Sequence, residues 1–211
     1  MKFRNISHSV YNATQRTNQW FSKINILNAF WWDVKVGKDS KFLGRCYFKK
    51  YPGTQIIIGD HCTFLSKKNA NLIGINRPCM FSTLHSSYKA VIHIGNNCGF
   101  SGTVVAAFKH ISIGNNVRCG ANTLITDSDW HLDDYRSGEP QDVNIEDNVW
   151  LGVNSVILKG VTIGANTIIG ANSVVTKNIP ANVIAAGNPC RVIKPLTAKT
   201  NRVSETMQYA T

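Results

Sequence analysis

The amino-acid sequence predicts an all-β solenoid wound in stacked triangular coils. Three observations predict it: a six-residue repeat, a breaker residue at one fixed place of that repeat, and small or aliphatic side chains at two others. The frame runs without a gap from Ile145 to Pro180. Its leading places hold Ile145, Leu151, Ile157, Ile163, Ile169 and Val175, and its fifth places hold Val149, Ser155, Val161, Thr167, Ser173 and Ile179. Two inward places in each short straight segment is the periodicity of strands. The fourth places are Asn148, Asn154, Gly160, Asn166, Asn172 and Asn178. Asn and Gly reach positive φ at least cost, so the backbone is expected to kink once per six residues, and three kinks close a triangle. A period of six with a breaker in every frame excludes an α-helix.

The same phase recurs upstream at Ile94 and Phe100, at Ile113, Cys119 and Ile125, and more weakly at Ile58 and Phe64, with Asn97, Asn116 and Asn122 in the fourth place. Coils are therefore expected from about residues 34–60 to about 187, with an interruption around 67–92. Ahead of them, Trp20, Phe21, Ile24, Leu27, Phe30 and Trp31 are spaced for one face of a helix. That helix is expected to pack on the first coil, and the basic and aromatic residues of 9–32 also suit weak association with a membrane surface. The organisation read from the sequence is thus a helical segment over 1–33, a solenoid domain over 34–187 and a C-terminal segment over 188–211.

Composition narrows the partners less than the repeat narrows the fold. At 211 residues the chain suits one domain with a substantial core. The net charge of +11 suits an anionic partner, but no nucleic-acid-binding motif accompanies it, and no nucleic acid is expected as a partner. Neither a signal peptide nor a membrane span is visible, which points to a cytoplasmic location. The six cysteines at 46, 62, 79, 98, 119 and 190 form no CxxC pair and read as free thiols filling the core.

Three stretches, IGNNCGFSG (94–102), IGNNVRCGANTLITDSDWH (113–131) and the long repeat from 145 that ends AAGNPCRVIK at 194, resemble the hexapeptide-repeat acetyltransferases. The likeness is nearest to the sugar O-acetyltransferases, the galactoside, maltose and capsule or colanic-acid enzymes, and covers residues 58–194. The resemblance implies a left-handed β-helix, acetyl-CoA as co-substrate with no metal, and a homotrimer with active sites between neighbouring subunits. It also implies that the polar run 131–144, which breaks the repeat, is an extruded loop reaching toward the adjacent subunit.

His131 occupies the next leading place after Ile125, where the frame otherwise asks for an aliphatic side chain. A buried imidazole without a partner is costly, so from the residues alone it reads as the water-facing start of the loop. The resemblance makes it the general base that takes the acceptor's hydroxyl proton for direct attack on the thioester, a task that suits a group titrating near neutrality. Asp129, Asp127 or a main-chain carbonyl would orient the ring. Related enzymes carry an asparagine near the acceptor where this chain has Ser101, whose hydroxyl could donate to substrate or oxyanion. Carried over by the same resemblance, acetyl-CoA would meet Trp150, Val153, Ala171, Thr176, Lys177, Arg191 and Lys194, the cations facing its phosphates. In the loop, Asp133, Asp134 and Arg136 are candidate contacts for the sugar or polysaccharide-precursor acceptor. A zinc hydratase on the same scaffold would need convergent histidines, and His61, His85, His93 and His110 form no HxxxxH pair. The alternatives that stay open are a non-sugar acceptor (an amine, an antibiotic hydroxyl or serine) and a scaffold without turnover.

Overall fold

The computed structural model describes residues 13, 17, 20–84 and 87–196. The remainder, including His85 and most of 9–19, lies outside the described residues. The chain winds six times through three parallel sheets, forming a left-handed β-helix. The first coil is β1 (Lys35–Val36), β2 (Lys41–Leu43) and β3 (Tyr47–Lys49), and the second is β4 (Gln55–Ile58), β5 (Thr63–Leu65) and β6 (Met80–Thr83). The third is β7 (Val91–Ile94), β8 (Gly99–Ser101) and β9 (Val104–Ala107), and the fourth is β10 (His110–Ile113), β11 (Arg118–Cys119) and β12 (Leu124–Thr126). The fifth is β13 (Val143–Ile145), β14 (Trp150–Leu151) and β15 (Val156–Ile157), and the sixth is β16 (Thr162–Ile163), β17 (Ile168–Ile169) and β18 (Val174–Val175). The first strand of each coil builds sheet 1, the second sheet 2 and the third sheet 3. Two further strands, β19 (Val183–Gly187) and β20 (Cys190–Pro195), extend sheet 2; the latter returns antiparallel on the former.

The predicted inward places are inward. Every leading and fifth-place residue of the gapless repeat is buried, and sheet 2 continues upstream as a stack of Phe42, Phe64 and Phe100 with ring centroids 4.6 and 5.3 Å apart. Each buried Ile, Leu or Phe contributes roughly 1.5–3 kcal/mol against leaving it in water. The six cysteines are buried free thiols, and burial pushes those of Cys46, Cys79 and Cys119 up, which leaves them inert.

At the corners the expected left-handed residues are found at Asn97, Asn116, Asn122, Asn148, Asn154, Gly160, Asn166 and Asn172, with φ between 56° and 75°. Asn178 is the exception. Its Oδ1 accepts the Thr162 amide, and no left-handed residue turns that corner; Asn182 turns the next one, stacked on Asn166. The following Ile179–Pro180 pair explains the change, because a residue before proline is held extended and Ile179 makes only a single bridge, to Ile163. The asparagines do more than turn. Their amides form one ladder through Asn116, Asn148, Asn166 and Asn182 and another through Asn122, Asn154 and Asn172, with steps of 2.9–3.3 Å. Glycine before the turn has a steric cause: a Cβ on Gly59 would lie 2.7 Å from the Gly95 carbonyl carbon of the next coil.

Two expectations need correction. The interval 67–92 is not one interruption, because β6 lies inside it and pairs in register with β3 and β9. Only the segments flanking β6 leave the coil. The helix, α1, over residues 20–31, does sit on the first coil, but not through its aromatic face. Ser22 Oγ accepts the Phe42 amide, Asn25 Oδ1 accepts the Cys46 amide and its Nδ2 donates to the Gly44 carbonyl, and Ala29 is buried beside them. Polar side chains thus pair the open edge of sheet 2, a device that blocks strand addition there. Trp20, Leu27, Phe30 and Trp31 point outward. Among the described residues no helix is long and apolar enough to cross a membrane.

Replacing Asn154 separates the two roles of the corner asparagines. Asn154→Val is expected to cost about 1–2 kcal/mol for a β-branched residue held left-handed, plus about 1 kcal/mol for the broken ladder, whereas Asn154→Gly loses only the ladder. Chemical denaturation that ranks the glycine variant as the weaker would overturn this account.

Candidate active site

The sequence-singled residues gather at two corners of the triangle. Ser101 ends β8 and enters the corner between sheets 2 and 3, and Val153 and Ala171 follow β14 and β17 into that same corner two and three coils on. The Asn172 amide donates to the Val153 carbonyl over 2.8 Å, which ties these levels together. Trp150, 54% exposed, faces out of sheet 2 beside them, and Arg191 and Lys194 are exposed on β20, the outermost strand of that sheet. His131 follows β12 out of the corner between sheets 3 and 1, where Thr176 and Lys177 also lie, exposed, after β18. Strand β9, four residues long, separates the two corners in its coil, a span of roughly 13 Å. One chain therefore does not bring Ser101 and His131 into one site.

His131 is exposed, and among the described residues its ring has no hydrogen-bond partner. Its main chain is held tightly: its amide donates to the Asp129 carbonyl over 3.0 Å and its carbonyl accepts the Asp134 amide. The preceding Trp130 has φ 75°, a left-handed conformation rare for a bulky residue, with a cost of about 1–3 kcal/mol that the surroundings must offset. They do so through an edge-to-face contact with Phe108, centroids 5.7 Å apart, and the Ser128 hydroxyl, which accepts the Trp130 amide. This strained step aims the chain out of the coil at the histidine.

Neither aspartate holds the ring. Asp127 is buried, and its two oxygens accept the amides of Phe108, Lys109 and His110 at 2.7–2.8 Å. Burial pushes its carboxyl up even against those three amides, and its role is to pin the neighbouring corner. The Asp129 carboxylate instead takes Lys159 Nζ and the Gly138 amide, and the Lys159 ammonium holds its pKa below the ordinary range. A main-chain carbonyl remains the third candidate orienter, and none accepts from the ring among the described residues.

The loop after His131 lies on its own chain at its base. Asp129 is joined to Lys159, Asp142 to Lys109 at 3.2 Å, and Tyr88 donates its hydroxyl to Glu139. The Gln141 amide donates to Asp127 and its carbonyl accepts Gly160. At the tip Arg136 grips Asp134 through two nitrogens, and that guanidinium brings the Asp134 carboxyl down to about 2. Asp133 and Tyr135 stay exposed.

Sequence reasoning missed Asn71, Arg77 and Lys159. Asn71 Nδ2 donates to Ser101 Oγ over 3.1 Å, and Arg77 reaches the Gly102 and Asn122 carbonyls, so the segment after β5 folds over this corner and leaves Ser101 only 7% exposed. Their partners lie 25 or more residues away in sequence, and no short motif could have named them.

The fold and the interrupted corner define the class of a hexapeptide-repeat transferase. Residues 142–177 match the family described as bacterial transferase hexapeptide (six repeats). Protein CapG of Staphylococcus aureus is 37% identical over 130 residues, 57% of this chain and 76% of that protein. Galactoside O-acetyltransferase of Escherichia coli is 43% identical over 119 residues, 54% of this chain and 58% of that enzyme, so the chain spans little more than half of its length. Among solved structures, AntD, an N-acyltransferase from Bacillus cereus in complex with dTDP and 3-hydroxybutyryl-CoA, superposes with a TM-score of 0.54 at 20% identity, covering 77% of this chain and 83% of that one. That likeness concerns the fold alone. The chain belongs to the hexapeptide-repeat transferase family.

The loop's attachment is expected to weaken in acid. A carboxyl whose pKa is lowered by folding contributes stability that is present above the ordinary carboxylate range and is lost as pH falls through the lowered value. The protection factor of the Gly138 amide, its exchange rate set against the intrinsic rate at the same pH, should therefore fall at low pH, and Lys159→Met should lower it already at neutral pH; unchanged protection in that variant would show that Lys159 does not hold the loop.

Proposed function

We propose that the chain is an acetyl-CoA-dependent O-acetyltransferase that modifies a hydroxyl of a sugar or polysaccharide precursor, with His131 as general base. What carries this is the position of His131: an exposed imidazole on a rigid corner, where a strained residue interrupts the winding and a polar loop begins. Identity to galactoside O-acetyltransferase over 119 residues supports the reaction class and the sugar acceptor. Acetyl-CoA supplies a thioester whose C–S bond breaks as the acceptor oxygen takes the acetyl carbon. His131 accepts the hydroxyl proton at a ring nitrogen and returns it to the departing thiolate. No residue need carry the acetyl group, and the six thiols, all buried, are withdrawn from that role.

The surface residues suit the co-substrate. Trp150 offers an exposed apolar wall, Val153 and Ala171 a corner lined by main chain, Thr176 a hydroxyl, and Lys177, Arg191 and Lys194 exposed cations for phosphate. Because Ser101 and His131 leave different corners, a site using both draws them from two protomers, which supports a homotrimer with its sites between subunits. Ser101 donates its hydroxyl proton to substrate or oxyanion there, while the Asn71 amide donates to its oxygen.

Release of free thiol from acetyl-CoA with a panel of sugars tests the reading. His131→Ala is expected to lower kcat by about 10²–10⁴-fold with the fold intact. Turnover undiminished in that variant, or none from the parent chain with any sugar, amine or serine acceptor, would sink it. Arg191→Ala should raise KM for acetyl-CoA and leave that for the acceptor alone; the reverse split would remove Arg191 from the phosphate site.

A further inference from the structure

The N-terminal end of the solenoid carries an apolar face with nothing on it among the described residues. On α1, Ser22, Asn25 and Ala29 turn toward the coil, and the opposite side presents Trp20, Lys23, Ile26, Leu27, Phe30 and Trp31. Phe30 is 78% exposed, Trp31 85% and Leu27 60%. A contiguous patch of large apolar side chains on a folded surface marks an interaction site. It is not needed to hold the helix, which is fixed through the polar contacts on its other side.

Charge says what covers it. Residues 1–50 hold ten Lys or Arg against two Asp, so eight of the chain's eleven net positive charges fall in its first quarter. In the first coil Lys35, Lys38, Lys41, Arg45 and Lys49 are exposed, and Lys41 and Arg45 bracket the Phe42 and Gly44 backbone groups that α1 grips. Of the two acids, Asp33 is neutralised by Lys50 at 2.8 Å and Asp39 lies 3.6 Å from His61. Aromatic and aliphatic side chains ringed by cations match the boundary between headgroups and acyl chains of an anionic bilayer, where indole rings settle and lysines meet lipid phosphate. A second copy of the chain would bring the same positive field against itself. Nucleic acid would leave Ile26 and Leu27, which have no π-face, against its bases.

We infer that this end of the solenoid docks on anionic membrane surfaces, with the outward face of α1 entering the interface and the cations of the first coil meeting lipid headgroups. The orientation is end-on. The first coil is the terminal strand of all three sheets, so the coil that carries His131 stands three coil steps, roughly 14 Å, further from the bilayer. The inference does not depend on which reaction the solenoid performs.

Co-sedimentation of the full chain with vesicles tests it. The protein is expected to pellet with vesicles of phosphatidylcholine containing about 30% phosphatidylserine, and to be released at least about tenfold by raising salt to about 0.5 M. Phe30→Ser/Trp31→Ser should lower vesicle binding about tenfold or more with an unchanged far-ultraviolet circular dichroism spectrum and an unchanged mass in sedimentation velocity. Trp31→Ser alone, a milder change, should lower it in the same direction if the double variant fails to fold. Three results would overturn the proposal: no pelleting with anionic vesicles, equal binding to pure phosphatidylcholine that salt does not weaken, or a loss of oligomer mass in the serine variants, which would make the face a contact between copies.

Discussion

A left-handed residue at the corners of the regular coils is the constraint on which the molecule depends. An L-residue with a branched side chain pays roughly 1–2 kcal/mol to sit there, and a coil needs such a residue at its turns. Glycine would satisfy the backbone at least steric cost, yet the chain uses asparagine at Asn116, Asn148 and Asn166 and again at Asn122 and Asn154. The amide explains the choice. It offers a donor and an acceptor along the solenoid axis, so successive turn residues bond one another, and a local steric requirement becomes a ladder running from the fourth coil onward. The strands between corners are only two to four residues long, and hydrophobic burial in so thin a triangle depends on their stacking in exact register.

The site proposed for the reaction lies where that regularity is suspended. The stack between β12 and β13 survives an excursion of 16 residues because the corner it leaves is rebuilt by other means. Asp127 supplies its carboxylate to three amides, and Gln141 bridges back to Asp127 and on to Gly160. An ionisable group that is buried and fully occupied in this way is a strut. The neighbouring Trp130 is left-handed two residues past the place a corner asparagine would take, although its ring is large, and the contact with Phe108 holds it there. Rigid closure below and a strained step above leave His131 with a fixed backbone and a ring that no hydrogen bond holds among the described residues, an arrangement that suits the base role proposed for it.

Much of this was legible in the sequence, and the reason differs by level. Inward places and left-handed corners are local properties of six consecutive residues, so Ile157 or Asn154 could be placed by spacing alone. Asn178 could not, because Pro180 two residues on overrides its preference. His61 stands left-handed at φ 58° where a breaker residue was wanted, which is why the frame at Ile58 and Phe64 read as weak. Strand β6 was hidden because long departures flank it on both sides. At the proposed site, the sequence marked Ser101 and His131 but could not say that they leave different corners, nor that Asn71 reaches Ser101 and Lys159 reaches Asp129; those are pairings across coils, set by the winding.

The two ends of the solenoid show the same logic applied differently. A parallel stack must end in unpaired backbone at both extremes, and each end needs a cover that satisfies main-chain groups without adding another coil. At the C-terminal end β20 folds back antiparallel on β19 and closes sheet 2 with strand pairing. At the N-terminal end α1 has no main chain to spare for pairing, so Ser22 and Asn25 reach down to the edge of β2 and the residues after it. A helix that spends its polar side chains inward must turn its remaining surface outward, and here that surface is tryptophan, phenylalanine and leucine. The placement of the outward aromatics is thus a consequence of how the edge is capped: the helix meets the first coil through Ser22, Asn25 and the buried Ala29, with Phe21 and Ile24 half-buried at its flank, and only part of the hydrophobic spacing faces the core.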